Sequence, residues 1–223
     1  MGRKWLAWKG ASMVKINPTK ERIIFESLNL FSQKGYDGVS MRDIAAAVGI
    51  KGASIYNHFK GKEEILQAIF AEMTKRYDTI ADSLAVPQGE INEIAQTYMQ
   101  ITEAGLLSMA QGLFSFFIKD DFACKFRKLL IAEQYKNTLA RDTLKNYFFD
   151  APLTYQTELF DTMIKGGAFG AYDPQVMALH FYSPIFFLLM ENDIKDDYQQ
   201  GIELIQRHVN QFSKIYNPTL DVK

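Results

Sequence analysis

At 223 residues with 48% hydrophobic side chains, the chain is long enough for one large or two small packed domains, which excludes a disordered polymer. Its formal charge of −1 hides an asymmetry: residues 1–76 carry 13 Lys and Arg against 7 Asp and Glu, and the remainder 12 against 19. A basic first third joined to an acidic remainder directs any polyanion to the first part, because the field of the rest repels phosphate.

The single cysteine, Cys124, excludes an intramolecular disulfide and a cysteine-based zinc site, and fits a reducing compartment. It is expected as a half-buried small residue on a helix. Near the N-terminus, Trp5-Leu6-Ala7-Trp8 is too short for the apolar region of a signal peptide. The longest apolar run, Pro184 to Met190, falls short of the ~20 residues a membrane helix needs. A cytoplasmic protein with no membrane partner is expected, with residues 1–12 a leader and Met13 an alternative start.

Apolar spacing predicts an all-α chain with no strand of period two. The first helix is expected from Pro18 to about Lys34, with Asn17 as cap and Ile23, Ile24, Ser27, Leu28 and Phe31 on its inner face. Gly35 ends it. A second helix follows Tyr36-Asp37-Gly38-Val39, with Ser40 as N-cap answered by Asp43 and a stripe of Met41, Ile44, Ala45 and Val48. Gly49 stops that helix and a short third one is expected over about 52–59. The fourth starts near Gly61, places Glu63 and Glu64 in its first turn, and runs to about Ser83 before Pro87-Gln88-Gly89. The rest reads as helices near 90–110, 111–119, 121–149, 152–166, 174–191 and 197–216. Asp173-Pro174 opens the penultimate one, and Pro184 is expected to kink it.

Two short helices joined by a glycine turn form a helix-turn-helix, in which the second enters the major groove and the first braces it. Ala45, Ala46 and Ala47 are small enough for close approach of the helices. Ile55 and Phe59 stand at i, i+4 and must face the core. Lys51, Gly52, Ala53, Ser54, Tyr56, Asn57 and His58 are left facing outward. Gly52 and Ala53 let the backbone near the duplex, and a lysine at the start of a helix opposes the dipole unless phosphate sits beside it. Ser54 and Asn57 have the chemistry to read base edges, and Tyr56 to bond phosphate or pack on a thymine methyl. Arg42, Lys60 and Lys62 flank the unit as backbone grips, Ser40 adds a hydroxyl, and His58 sits at the phosphate edge or in solvent.

The stretch "VSMRDIAAAVGIKGASIYNHFKGKEEIL", residues 39–66, resembles the DNA-binding signature of the tetracycline-repressor (TetR) family of bacterial regulators. The similarity runs over roughly residues 18–84. It implies a helix-turn-helix domain at 14–60, a connecting helix at 61–84 and an effector-binding and dimerisation domain at 85–223. It further implies a homodimer on a near-palindromic double-stranded DNA operator, released by a small-molecule effector. By position, Tyr56 and Lys62 are the implied phosphate contacts, Arg42 a phosphate or base contact, and Lys51, Ala53, Ser54 and Asn57 the sequence-selecting region. At Gly52-Ala53 many relatives have Lys-Gly, so a phosphate contact is expected to be missing there.

In the C-terminal part most aromatic residues are expected in the core. Met99, Thr102, Phe114, Phe117, Tyr135, Phe160 and Met163 are the candidate lining of an apolar pocket between helices. Val176, Leu179, His180, Ser183 and Phe187 on one helix, with Ile202, Ile205, Val209 and Phe212 on the last, are the candidate four-helix dimer interface. His180 and His208 are not read as a metal pair, because the nearest carboxylates are not at ligand spacing, and satisfied or exposed histidines are expected. No nucleophile–base pair, metal set or phosphate loop points to an enzyme, and no cofactor is expected. The rival reading is a DNA-binding protein whose helical body docks another protein.

Overall fold

The computed structural model describes residues 18–194 and 198–216, and Asn17, the leader and Met13 lie outside that range. The fold is all-α, with no strand among the described residues. Its helices are α1 (Pro18–Lys34), α2 (Met41–Val48), α3 (Lys62–Ser83), α4 (Ile91–Gln100), α5 (Glu103–Lys119), α6 (Asp121–Glu133), α7 (Thr138–Lys145), α8 (Ala151–Lys165), α9 (Pro174–Asn192) and α10 (Gln199–Tyr216). A 3₁₀ turn at Ser54–Asn57 and a π segment at Asn146–Asp150 complete the order.

Two compact units divide the described residues: one takes those up to Thr79 together with Asp121–Leu144, the other Ile80–Asp120 together with those from Lys145 on. This departs from a single C-terminal domain at 85–223. The reason is packing: Phe122, Phe126, Leu129 and Leu130 on α6 are buried in the first unit, where the Phe126 ring stands edge-on to Phe70 at 5.7 Å. An apolar stripe on a helix shows that it is buried but not against what.

Three helix boundaries also differ from the periodic reading. Thr102 caps α5 by accepting the Gly105 N–H at 3.2 Å, so the break falls at 101–102 rather than at 110. Asn137 caps α7 through its side-chain oxygen, which takes the Ala140 N–H at 3.0 Å and splits the expected helix 121–149. The chain then runs from α7 through the π segment into α8, with Tyr147 and Phe148 both buried. Both caps are polar residues inside apolar patterns, where local bonding to the main chain competes with helix continuation.

The second unit has two cores. One joins α4, α8, α9 and α10 through Ile94, Phe160, Met163, Met177 and Phe212, and the other joins α5, α9 and α10 through Phe114, Ile118, Leu188, Leu189, Ile205 and Val209. Phe160 sits among rings, 5.4 Å from Phe212 and 5.8 Å from Phe181 between centroids. Asp173 opens α9 as expected, accepting the N–H groups of Gln175 and Val176 at 2.8 and 3.0 Å, and Pro184 lies inside that helix. No single helix among the described residues is long and apolar enough to cross a membrane.

Candidate nucleic-acid interface

The predicted face of α1 is the buried one: Ile23, Ile24, Ser27, Leu28 and Phe31. At the start of α2, Ser40 and Asp43 form the expected reciprocal cap. The Ser40 hydroxyl accepts the Asp43 N–H at 3.2 Å, and the Asp43 carboxylate takes the Ser40 N–H at 2.8 Å. Hydrogen bonds from the Ser40 side chain, then its backbone, hold the Asp43 carboxyl below its ordinary range. Ile44, Ala45 and Val48 are buried, whereas Met41 is half-buried and Ala46 and Ala47 are exposed. Only Ala45 therefore serves close helix approach, since at 100° per residue three successive positions cannot share a face.

Gly49 ends α2 in the left-handed conformation, φ 74°, where a side chain is strained. Its N–H and that of Ile50 close back on the carbonyls of Ala46 and Ala45 at 3.1 and 2.9 Å, which turns the chain sharply. Arg22 secures the same end by donating to the Val48 carbonyl at 2.5 Å. A cation at a helix C-terminus is favourable, but its partner was not legible because it comes from another helix.

The segment after that turn is shorter than the expected helix 52–59. Gly52-Ala53 is a turn, and the 3₁₀ segment covers four residues, with Ser54 N–H on the Lys51 carbonyl at 2.8 Å and His58 N–H on Ile55 at 3.0 Å. So few residues between a glycine turn and the next helix leave little length to repay α-helix nucleation. The inward anchors hold: Ile55 is 0% and Phe59 1% exposed. Lys51, Gly52, Ala53, Tyr56 and Asn57 are exposed, and Ser54 and His58 are half-buried beside them. Arg42 reaches across from α2, since a Cβ on Gly52 would meet its Cγ at 3.9 Å. Lys60 is exposed while its N–H is tied to Glu64 at 2.7 Å, at the entry to α3.

Lys62 is differently placed from a free surface lysine. It is half-buried, donates to the Tyr36 carbonyl at 2.7 Å and lies 4.4 Å from the Tyr36 ring centre, keeping two further N–H groups for another partner. Lys20, absent from the sequence candidates, stands 4.8 Å from the centre of the Phe59 ring and adds charge to the same unit.

The candidate pocket lining does not come together. Phe114 belongs to one core with Phe117 packed on it, while Phe160 and Met163 belong to the other. Thr102 is a helix cap, Met99 is 41% exposed, and Tyr135 is 89% exposed in the other compact unit. Aromatic composition marks burial without marking which core a ring joins. The candidate dimer stripes divide likewise. On α9, Val176, Leu179, His180, Ser183 and Phe187 are exposed, Phe187 by 65%. On α10, Ile205 and Val209 are buried in the core shared with α5 and α9, with Ile202 half-buried against it, and Phe212 is buried in the core shared with α4 and α8. Between the two helices lies an open groove of about 480 Å³ lined by Leu179, His180, Ser183, Pro184, His208, Phe212, Ile215 and Tyr216. Both histidines are occupied: His180 Nδ1 pairs with the Tyr216 hydroxyl, and His208 Nε2 donates to the Phe181 carbonyl at 2.8 Å.

Residues 23–69 match the family model of "Bacterial regulatory proteins, tetR family". The head is 52% identical over 46 residues to IcaR of Staphylococcus epidermidis, a negative transcriptional regulator of the biofilm operon icaADBC. That match spans 21% of this chain and a quarter of the relative's length. Across nearly the whole chain the fold is similar to two solved structures. The fatty acid degradation regulator FadR from Bacillus halodurans is 18% identical with a TM-score of 0.62, over 90% of this chain and 97% of that one. SmeT in complex with triclosan is 15% identical with a TM-score of 0.62, over 90% and 92%. At such identity the likeness is one of fold.

Proposed function

We propose that the chain, whose residues 23–69 match the model of the tetR family of bacterial regulatory proteins, is a homodimeric, ligand-responsive repressor of a nearby operon, acting in the cytoplasm. The observation that carries the reading is the outward cluster Lys51, Gly52, Ala53, Tyr56 and Asn57, held in place by the buried Ile55 and Phe59. Their side chains have no work in the core and the right chemistry for a duplex. Ser54, Asn57 and Lys51 read base edges, with Gly52 and Ala53 admitting the backbone, while Tyr56, Arg42, Lys60, Lys62, Ser40 and His58 contact phosphate. Lys62 does so with the N–H groups left free by Tyr36.

The exposed apolar face of α9 and its groove suit a second copy, since a contiguous apolar patch of this kind marks an interface. Two heads related by a two-fold axis then meet successive major grooves of a near-palindromic operator. An apolar or amphipathic effector is supported by the second unit, whose interior is apolar apart from a few polar atoms. The Tyr98 hydroxyl, which donates to the Met109 sulfur at 3.7 Å, is one; the buried Gln156 Oε1 is another. FadR and SmeT, whose fold is similar, are connected by name with fatty acid degradation and with triclosan. The ligand acts by population shift, favouring the state in which the heads no longer match the operator.

The test is fluorescence anisotropy with DNA flanking the chain's own gene, in the presence and absence of apolar ligands. Sequence-preferring binding that a ligand weakens supports the reading. Equal affinity for unrelated duplexes overturns it.

A further inference from the structure

We propose that Glu133, on α6 and outside the reading surface, is a positioning residue for DNA binding: its buried carboxylate holds the connection between α1 and α2 and thereby sets where α2 and the turn after it stand. The inference rests on the DNA-binding reading above. Glu133 is 5% exposed, an unusual state for a carboxylate, and its Oε1 accepts the Tyr36 N–H at 3.0 Å across 97 residues of chain. The adjacent Gly35 makes that approach possible. It adopts φ +75°, and a Cβ there would stand only 3.0 Å from Oε1.

Tyr36 is gripped from its other side as well. Lys62 donates to its carbonyl and covers its ring, and that ring packs on Phe31 with centres 5.1 Å apart. Both main-chain polar groups of one residue are thus taken by side chains from α6 and α3. Four residues further on is Ser40, the cap of α2, and between them Val39 is 1% exposed. A connection this short and this anchored passes any displacement of Tyr36 to Ser40 and Arg42. Without the carboxylate the half-buried Tyr36 N–H loses its acceptor, and the connection relaxes to recover one from solvent.

Reach and charge are separable here. Gln keeps the reach and an acceptor oxygen while losing the charge; Asp keeps the charge and is one methylene too short. The experiment measures anisotropy of the full-length chain on a duplex enriched by selection from a randomised library, with each variant's fold checked by circular dichroism at the assay temperature. Glu133→Gln is expected within about threefold of wild type, and Glu133→Asp about tenfold weaker. Gly35→Ala, whose Cβ crowds the same oxygen, is expected to weaken binding to a similar degree and carries the test if a Glu133 variant does not fold. Wild-type affinity in Glu133→Asp or Gly35→Ala, or a Gln variant as weak as the Asp one, overturns the proposal. A head positioned by charge alone gives wild-type affinity in Glu133→Asp and weak binding in Glu133→Gln, and simple loss of stability gives no rescue by Gln. Failure of the wild-type chain to enrich any duplex sinks the DNA-binding reading instead.

Discussion

Tyr56 is 57% exposed next to Ile55, which is not exposed at all. That contrast between neighbours is the head's division of labour at the scale of one residue. Tyr56→Phe, which removes only a hydroxyl at an exposed site, is expected to weaken operator binding by up to about tenfold, as for one hydrogen bond to a charged group. The thermal midpoint should stay unchanged. Lys51→Ala should instead make the dependence of log affinity on log salt shallower by about one contact. Both effects are read by anisotropy over a salt series. The Asp43 carboxyl is held below the ordinary 3.8 by its bonds with Ser40. A lowered folded value means the cap's contribution is full above that ordinary value and is lost as pH falls through the folded one. NMR titration of the Ser40 amide should therefore show a midpoint below that of Asp in a model peptide. Much of this was legible in the sequence, because Ser40-x-x-Asp43 and the Ile55, Phe59 spacing are local signals. The grip of Lys62 and Glu133 on Tyr36 was not, because it joins residues 26 and 97 apart.

At the scale of helices, α9 and α10 look alike in sequence and differ in how their apolar stripes are covered. Apolar positions three and four apart predict a buried stripe on each, and the stripe on α10 is met inside the subunit, Ile205 and Val209 by α5 and α9 and Phe212 by α4, α8 and α9. Ile205→Ala is thus expected to cost about 2–5 kcal/mol of unfolding free energy, read by denaturant titration. The outer face of α9 has no such cover: Leu179 is 46% and Phe187 65% exposed. If α9 forms the proposed dimer, Phe187→Glu should leave the helical signal intact and give a monomer in analytical ultracentrifugation. A dimer that persists would move the interface elsewhere. Helix ends were legible where a cap is strong, as at Asp173-Pro174. They were missed at Thr102 and Asn137, where a polar residue breaks a pattern that would otherwise run on. The reading of 52–59 as a helix failed for a related reason, since four residues between two breaks close as a 3₁₀ turn.

For the whole molecule, the basic first part and acidic remainder agree with a protein that meets phosphate through its head alone. The division of labour in sequence is not the division in space, because α6 and nearly all of α7 fall in the compact unit that holds the head. The pocket candidates scattered for the same reason: ring-rich segments told of burial but belonged to separate cores. Binding of a specific duplex through residues 40–62, by two copies of the chain, is the point on which the function turns. It is tested by anisotropy of the full-length protein on the DNA beside its own gene and on a shuffled duplex, at ionic strengths from about 50 to 200 mM. Two chains per duplex are expected, with a clear preference for the unshuffled sequence and an affinity that falls by orders of magnitude as salt rises. Equal affinity for both duplexes, or binding indifferent to salt, would refute it.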